Sequence, residues 1–232
     1  MIILIIQGVS LCFLIAAVVL WGFNFPHPSP LIRRRLPPRA RWPEAQIRKW
    51  LRTGSFQRGF LNYFYRDPER VPPPGRDILA PADGLVTSVE VNEGIRYVVI
   101  ALSFWDMHVQ RSPVSGKVTA IERSGDMYMD GEGRQFAFLR EKSRPVQTRI
   151  VFSTDIGKLA VRLITSLAAR RIEVWPHIDA VVTRGQRIGR ILLGSTVVLE
   201  LPPAYPLRAQ VGDRVVAGES VVAEPKSDIV TP

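Results

Sequence analysis

Met1 to Phe23 hold no charged side chain, and Gln7 and Ser10 are the only clearly polar positions among them. A helix needs about 20 such residues to cross a bilayer, so the pattern predicts a transmembrane helix over residues 1–23. No basic residue precedes the run and no small-x-small motif ends it, which favours a retained anchor over a removed signal peptide. The apolar pattern then stops. Six prolines (Pro26, Pro28, Pro30, Pro37, Pro38 and Pro43) make residues 24–43 an extended linker. Periodicity returns over 44–66, where Ile47, Trp50 and Leu51 recur at i, i+3, i+4 opposite Arg48, Lys49 and Arg52. Phe56, Phe60, Leu61 and Phe64 continue the apolar set past Gly54. One or two short amphipathic helices are predicted, lying on a bilayer surface or packed on the following domain.

Beyond Pro74-Gly75 the grammar changes to short runs rich in β-branched residues: VTSVEV at 86–91, RYVVIAL at 96–102, KVTAIE at 117–122, TRIVFS at 148–153 and KLAVRLI at 158–164. No strand–helix–strand rhythm appears, so residues 67–232 are predicted to be mainly β. Two motifs occur twice. PADGLVTSVE at 81–90 matches PVSGKVTAIE at 113–122, and AVVTRGQRIGRIL at 180–192 matches AQVGDRVVAGESVVAE at 209–224 in its paired glycines. Glycine-turned hairpins used in pairs build the biotinyl- and lipoyl-type barrel-sandwich hybrids, so the expected fold is a β-sandwich of swapped hairpins.

Charge changes the picture at the N-terminus. The chain of 232 residues carries a formal net charge of +10, yet nine Lys or Arg against one acid, Glu44, fall between Asn24 and Phe60. Basic residues directly after an apolar span place the following domain on the cytoplasmic side of the cell membrane, against anionic lipid, rather than on nucleic acid. The single cysteine, Cys12, lies inside the apolar run, so no disulfide framework and no cysteine-based metal site are expected.

Three polar points stand out in the apolar β frame. LLGST at 192–196 sets Gly194 and Ser195 inside an aliphatic run, where glycine weakens a strand and a serine hydroxyl has no packing use. A serine oxygen held on distorted backbone can attack its own preceding carbonyl. Asp83 lies in PADG and His108 in FWDMHVQRSPVSG. Singly, each has an ordinary reading as turn chemistry or a core polar group.

The ordered set YFYRDPERVPPPG at 63–75, PADG at 81–84, FWDMHVQRSPVSGKV at 104–118, SLAARRIEVW at 166–175 and LLGSTVVLELP at 192–202 resembles the phosphatidylserine decarboxylases, specifically their short form, over about residues 60–224. The resemblance implies a proenzyme that cuts itself between Gly194 and Ser195, leaving a β chain of 1–194 and an α chain of 195–232 as a heterodimer. Ser195 would become a covalent pyruvoyl cofactor that forms a Schiff base with the amine of a serine phospholipid and accepts the electrons released with carbon dioxide. His108 matches the histidine associated with decarboxylation, and Asp83 the aspartate of the cleavage triad. The triad histidine of longer members is here Arg111, so either His108 serves both steps or another acceptor, Asp83 first, takes the Ser195 proton. Leu193 and Thr196 stand where short members carry phenylalanine and arginine, and EKSR at 141–144 keeps only Arg144 of a family motif. Arg144, Arg170 and Arg171 are candidates for the lipid phosphate, since guanidinium forks fit phosphate oxygens. The competing reading is a non-catalytic, membrane-tethered adaptor on a lipoyl-like sandwich.

Overall fold

The computed structural model describes residues 2–24, 43–103, 105–128, 138–166, 171–192 and 195–225. They form two compact units, Met1–Tyr63 and Phe64–Pro232. Nearly all of the expected 24–43 linker lies outside the described residues.

In the first unit, helix α1 spans Ile2–Asn24 without a charged residue. Its side chains are described over 6–18, about 20 Å of helix at 1.5 Å per residue, and among the described residues no helix is long and apolar enough to cross a membrane. Helices α2 (Glu44–Arg52) and α3 (Phe56–Phe64) follow, joined by a turn through Gly54 at φ 64°. Trp50 wedges between them, meeting Phe56 and Tyr63 edge-on at 6.2 and 5.7 Å between centroids. A Cβ on Gly59 would stand 2.4 Å from the indole, so only glycine lets α3 pass so close. The amphipathic set splits: Ile47 and Trp50 are buried, whereas Leu51, Phe56 and Leu61 stay largely exposed.

The second unit is mainly β. Its strands are β1 (Ile78–Leu79), β2 (Gly84–Asn92), β3 (Ile95–Leu102), β4 (Val109–Arg111), β5 (Gly116–Ser124), β6 (Gln147–Thr154), β7 (Gly157–Ile164), β8 (Arg171–Val174), β9 (Val181–Val182), β10 (Arg187–Leu192), β11 (Ser195–Leu201), β12 (Arg214–Val215) and β13 (Val221–Ala223). One helical turn, α4 (Phe138–Glu141), falls between β5 and β6. The five strands predicted from composition correspond to β2, β3, β5, β6 and β7. Eight strands make one curled sheet in the order β12-β2-β3-β11-β7-β6-β5-β9, beside a three-stranded sheet β4-β10-β8 and the pair β1-β13. Alternation along β11 sends Val197, Leu199 and Leu201 into the main core, while Val198 faces a smaller cluster with Tyr97, Val99, Phe138 and Ile164.

The duplicated motifs are structural equivalents. Strands flanking PADG pair with the second glycine hairpin (β1 with β13, β2 with β12), and strands flanking PVSG pair with the first (β4 with β10, β5 with β9). The bonds repeat too: Ala80 N–H donates to Ser220 O as Ser112 N–H donates to Gln186 O, and Gly218 N–H returns to Ala80 O as Gly185 N–H returns to Ser112 O. Leu79 N–H to Pro113 O and Arg111 N–H to Pro81 O tie the halves reciprocally, at 3.0 and 2.9 Å. Gly84, at φ 153°, is needed in the first half, because a Cβ there would lie 2.4 Å from Ala101 O.

Glu200 on β11 is 3% exposed and accepts from Arg149 Nε and Nη2 at 3.0 and 2.8 Å, and from Arg162 Nε. Removing one member of a buried ionic cluster strands the others. Glu200→Ala is expected to lower unfolding stability by about 3 kcal/mol in urea denaturation; a loss below about 1 kcal/mol would mean that Arg149 and Arg162 remain solvated without it.

Candidate active site

The chain changes sheets between Leu192, the end of β10, and Ser195, the start of β11. Both ends of this junction are held by the same stretch of backbone. Ser195 lies opposite Leu102, the last residue of β3, and Ile191 N–H donates to His108 O at 3.1 Å. Leu102 and His108, with five residues between them along the chain, thus each pair with one side of the step from β10 to β11. Leu193, Gly194 and the Ser195 side chain lie outside the described positions, so Ser195 is placed by its backbone alone.

That stretch is pinned by Asp106, which is 3% exposed. Its Oδ2 accepts from Ser103 N–H at 2.8 Å, and its Oδ1 pairs with Arg214 Nη2. His108 follows, 1% exposed, with the Phe64 ring tilted over it at 4.5 Å between centroids. His108 Nδ1 stands 2.9 Å from the Asp106 carbonyl. A carbonyl oxygen only accepts, so Nδ1 carries the proton and a neutral ring keeps its lone pair on Nε2. Burial first, then the positive Arg66, lower the His108 pKa from 6.5 to about 4, against an upward pull from Asp83. His108 is thus an uncharged base at neutral pH.

The lowered pKa has a stability consequence. Between pH 6.5 and about 4 the unfolded chain binds a proton at His108 that the folded chain refuses, so stability rises with pH across that window. The contribution is complete above pH 6.5 and is lost as pH falls toward 4, to an extent on the order of 3 kcal/mol. Comparing wild type with His108→Asn by thermal melts at pH 7 and pH 4.5 should show the wild type losing more stability on acidification; parallel losses would rule out a buried neutral imidazole.

Asp83 is engaged on both oxygens. Arg70 donates through Nη1 to Oδ1 at 2.6 Å and through Nη2 to Oδ2 at 2.9 Å, and Ala217 N–H donates to Oδ1 at 2.8 Å. Arg111 is 4% exposed and gives Nη2 to Asp67 Oδ1 at 3.0 Å and to Pro68 O, and Nη1 to Gly185 O. Burial and Arg187 push its pKa down while Asp67 pulls it up. It remains a cation that pins the 67–68 segment to β4 and cannot take a proton.

The profile of the phosphatidylserine decarboxylases matches residues 58–223. The chain belongs to the phosphatidylserine decarboxylase family. It is 32% identical over 166 residues to a Methanosarcina mazei protein provisionally named an archaetidylserine decarboxylase proenzyme, covering 71% of this chain and 75% of that one. It is 34% identical over 161 residues to the phosphatidylserine decarboxylase proenzyme of Thermobifida fusca, covering 69% and 71%. These decarboxylases are carboxy-lyases, and the relatives are named as proenzymes.

Against the family's needs, the remaining candidates divide. Arg171 lies opposite Leu192 in the β8–β10 ladder, beside the junction, with an exposed side chain 3.3 Å from Glu173. Arg144 is exposed on the turn before β6, where its carbonyl accepts from Asp126 and Met127 N–H. Arg170 lies outside the described residues. Sequence reasoning did not single out Phe64, Arg66, Arg70 or Asp106 as site residues. All four lie in motifs quoted for the family, YFYRDPER and FWDMH, but their partners are distant in sequence. It also missed Gln110, which is fully buried on β4 with neither amide atom hydrogen-bonded among the described residues.

Proposed function

We propose that this chain is a self-processing, membrane-anchored decarboxylase that converts a serine phospholipid, phosphatidylserine or a backbone variant of it, into the ethanolamine phospholipid. The observation that carries the reading is a buried, neutral His108 beside the junction that holds the Gly194–Ser195 bond. Its Nε2 accepts the Ser195 hydroxyl proton as the oxygen attacks the Gly194 carbonyl; the amide becomes an ester and the Ser195 nitrogen leaves as an amine. Elimination frees residues 1–194 and leaves dehydroalanine at 195, which hydrolyses to pyruvoyl and ammonia.

The pyruvoyl group supplies an electrophilic carbonyl and an electron sink. The setting fits it: Leu102 and Ile164, the β-ladder partners of Ser195 and Thr196, are each 1% exposed, and Thr196 is equally buried. Such surroundings keep water away from a reactive carbonyl. The substrate ammonium must lose a proton before its nitrogen can attack, and the carbon that loses carbon dioxide needs one back; neutral His108 Nε2 can accept the first and return it. Arg171, beside the junction, is the first candidate for the lipid phosphate.

The apolar α1, the basic stretch behind it and the exposed Leu51, Phe56 and Leu61 support a single-pass anchor in the cell membrane, with the β domain on the cytoplasmic side at an anionic lipid surface. The test is the intact mass of the purified protein under denaturing conditions, paired with turnover of phosphatidylserine vesicles. Fragments of 194 and 38 residues from the 232, the smaller blocked by pyruvoyl, support the reading. A single chain that releases no carbon dioxide would overturn it and return the adaptor reading.

A further inference from the structure

The duplicated halves of the β domain provide an internal control for Asp83. In one half the Asp83 carboxylate caps Ala217 N–H at 2.8 Å, and in the other the Ser115 hydroxyl caps Arg184 N–H at 3.0 Å. Asp83 precedes Gly84 as Ser115 precedes Gly116, and those glycines pair with Val215 and Val182. A neutral hydroxyl is enough to close this turn. The charge on Asp83, and the arginine drawn to it, exceed what the fold requires.

Arg70 is that arginine, and it reaches three parts of the site. Its side chain is 5% exposed. Besides the two-pronged bond to Asp83, Nη1 donates to Ala217 O at 2.7 Å, and Nη2 lies 3.2 Å from Met107 Sδ, on the residue before His108. Arg70 and Asp83 together satisfy both backbone groups of Ala217, which lies on the far side of the 194–195 bond. The charged groups facing His108 are Arg66, from the same segment as Arg70, and Asp83, from the turn before β2, while Asp106 on its own loop is paired with Arg214. With Arg70 in place, Asp83 is committed to a fork and an amide and offers His108 only a countered charge.

We propose that Arg70 is a positioning residue: it withholds Asp83 from proton transfer, ties the Met107 side chain, one residue before His108, to Ala217 of the C-terminal hairpin, and so leaves His108 as the one base of the site. This rests on the reading of His108 as the base. It also assigns the change at Arg111. A chain with a second histidine can use its aspartate to orient that ring, whereas here the aspartate is given to Arg70.

The experiment is a titration of the His108 ring by NMR in full-length, uncleaved Ser195→Ala protein, where His108 is one of three histidines. Arg70→Gln exposes His108 to an uncountered Asp83 and should raise its pKa by about one pH unit. Adding Asp83→Ser, the residue nature uses in the other half, should return the titration toward the parent. Arg70→Lys, which keeps the charge and loses the fork, should stay near the parent while slowing self-cleavage in the Ser195 background. An unmoved titration in folded Arg70→Gln, or a raised one that Asp83→Ser fails to reverse, would overturn the proposal. The titration does not depend on catalysis, so its outcome is distinct from failure of the decarboxylase reading, which shows as an uncut, inactive wild type.

Discussion

Ser195→Ala is expected to give one uncut chain of 232 residues and no detectable decarboxylation. Alanine has no oxygen to attack the Gly194 carbonyl, so the amide-to-ester shift cannot begin and no pyruvoyl forms. The fold should survive. Ser195 contributes to the curled sheet through its backbone opposite Leu102, and alanine keeps every such bond. Stability should change by less than about 1 kcal/mol, as for a substitution that neither opens a core cavity nor strands a partner. The loss of turnover should exceed about 10³-fold, as when a nucleophile is removed from a group of residues acting together. Ser195→Thr keeps the hydroxyl and adds a β-branch that a strand tolerates, so it should cut slowly. Mass spectrometry over a time course reads both variants, and cleavage of Ser195→Ala at the wild-type rate would remove Ser195 from the chemistry.

What the chain disclosed in advance was governed by local signals. Alternating valine and isoleucine marked β2, β3, β5, β6 and β7, and the repeated Pro-x-x-Gly and paired-glycine motifs became the swapped pairings β1-β13, β2-β12, β4-β10 and β5-β9. Helical period was less informative. It grouped Leu51 with Ile47 and Trp50, but Trp50 packs closely on Gly59 of α3 while Leu51 stays half exposed. The candidates Asp83, His108 and Ser195 were visible as polar breaks, but the pairs that tune them were not. Arg70 and Asp83 are 13 residues apart, Asp83 and Ala217 are 134, and Asp106 and Arg214 are 108. Such bonds follow from tertiary register and leave no periodic trace. The question posed by Arg111 could therefore be raised from sequence, but its physical content, an arginine clasping Asp67 while Arg70 occupies Asp83, needed the fold.

His108→Ala should slow self-cleavage about 10²- to 10⁴-fold as well as turnover. Asp83 is bound by Arg70 and Ala217, Arg111 holds its proton, and Asp106 is tied to Arg214 and Ser103, so none of these replaces an imidazole beside the junction. Loss of general-base assistance is typically worth about 10² to 10⁴ in rate, so cleavage complete in minutes in the wild type should take from hours to days. The pH profile carries the same signature. The reactive form is the neutral ring, and burial keeps it neutral down to about pH 4, so cleavage of the wild type should be nearly flat from pH 8 to pH 5 and fall only near pH 4. An exposed histidine would bend the profile near 6.5 instead. Replacing Phe64 by leucine opens the cover over the ring at 4.5 Å, so the bend should move upward toward 6.5 while the maximal rate changes less. If His108→Ala cleaves at the wild-type rate but no longer decarboxylates, the histidine serves the substrate's protons alone, and the Ser195 proton must go to another group.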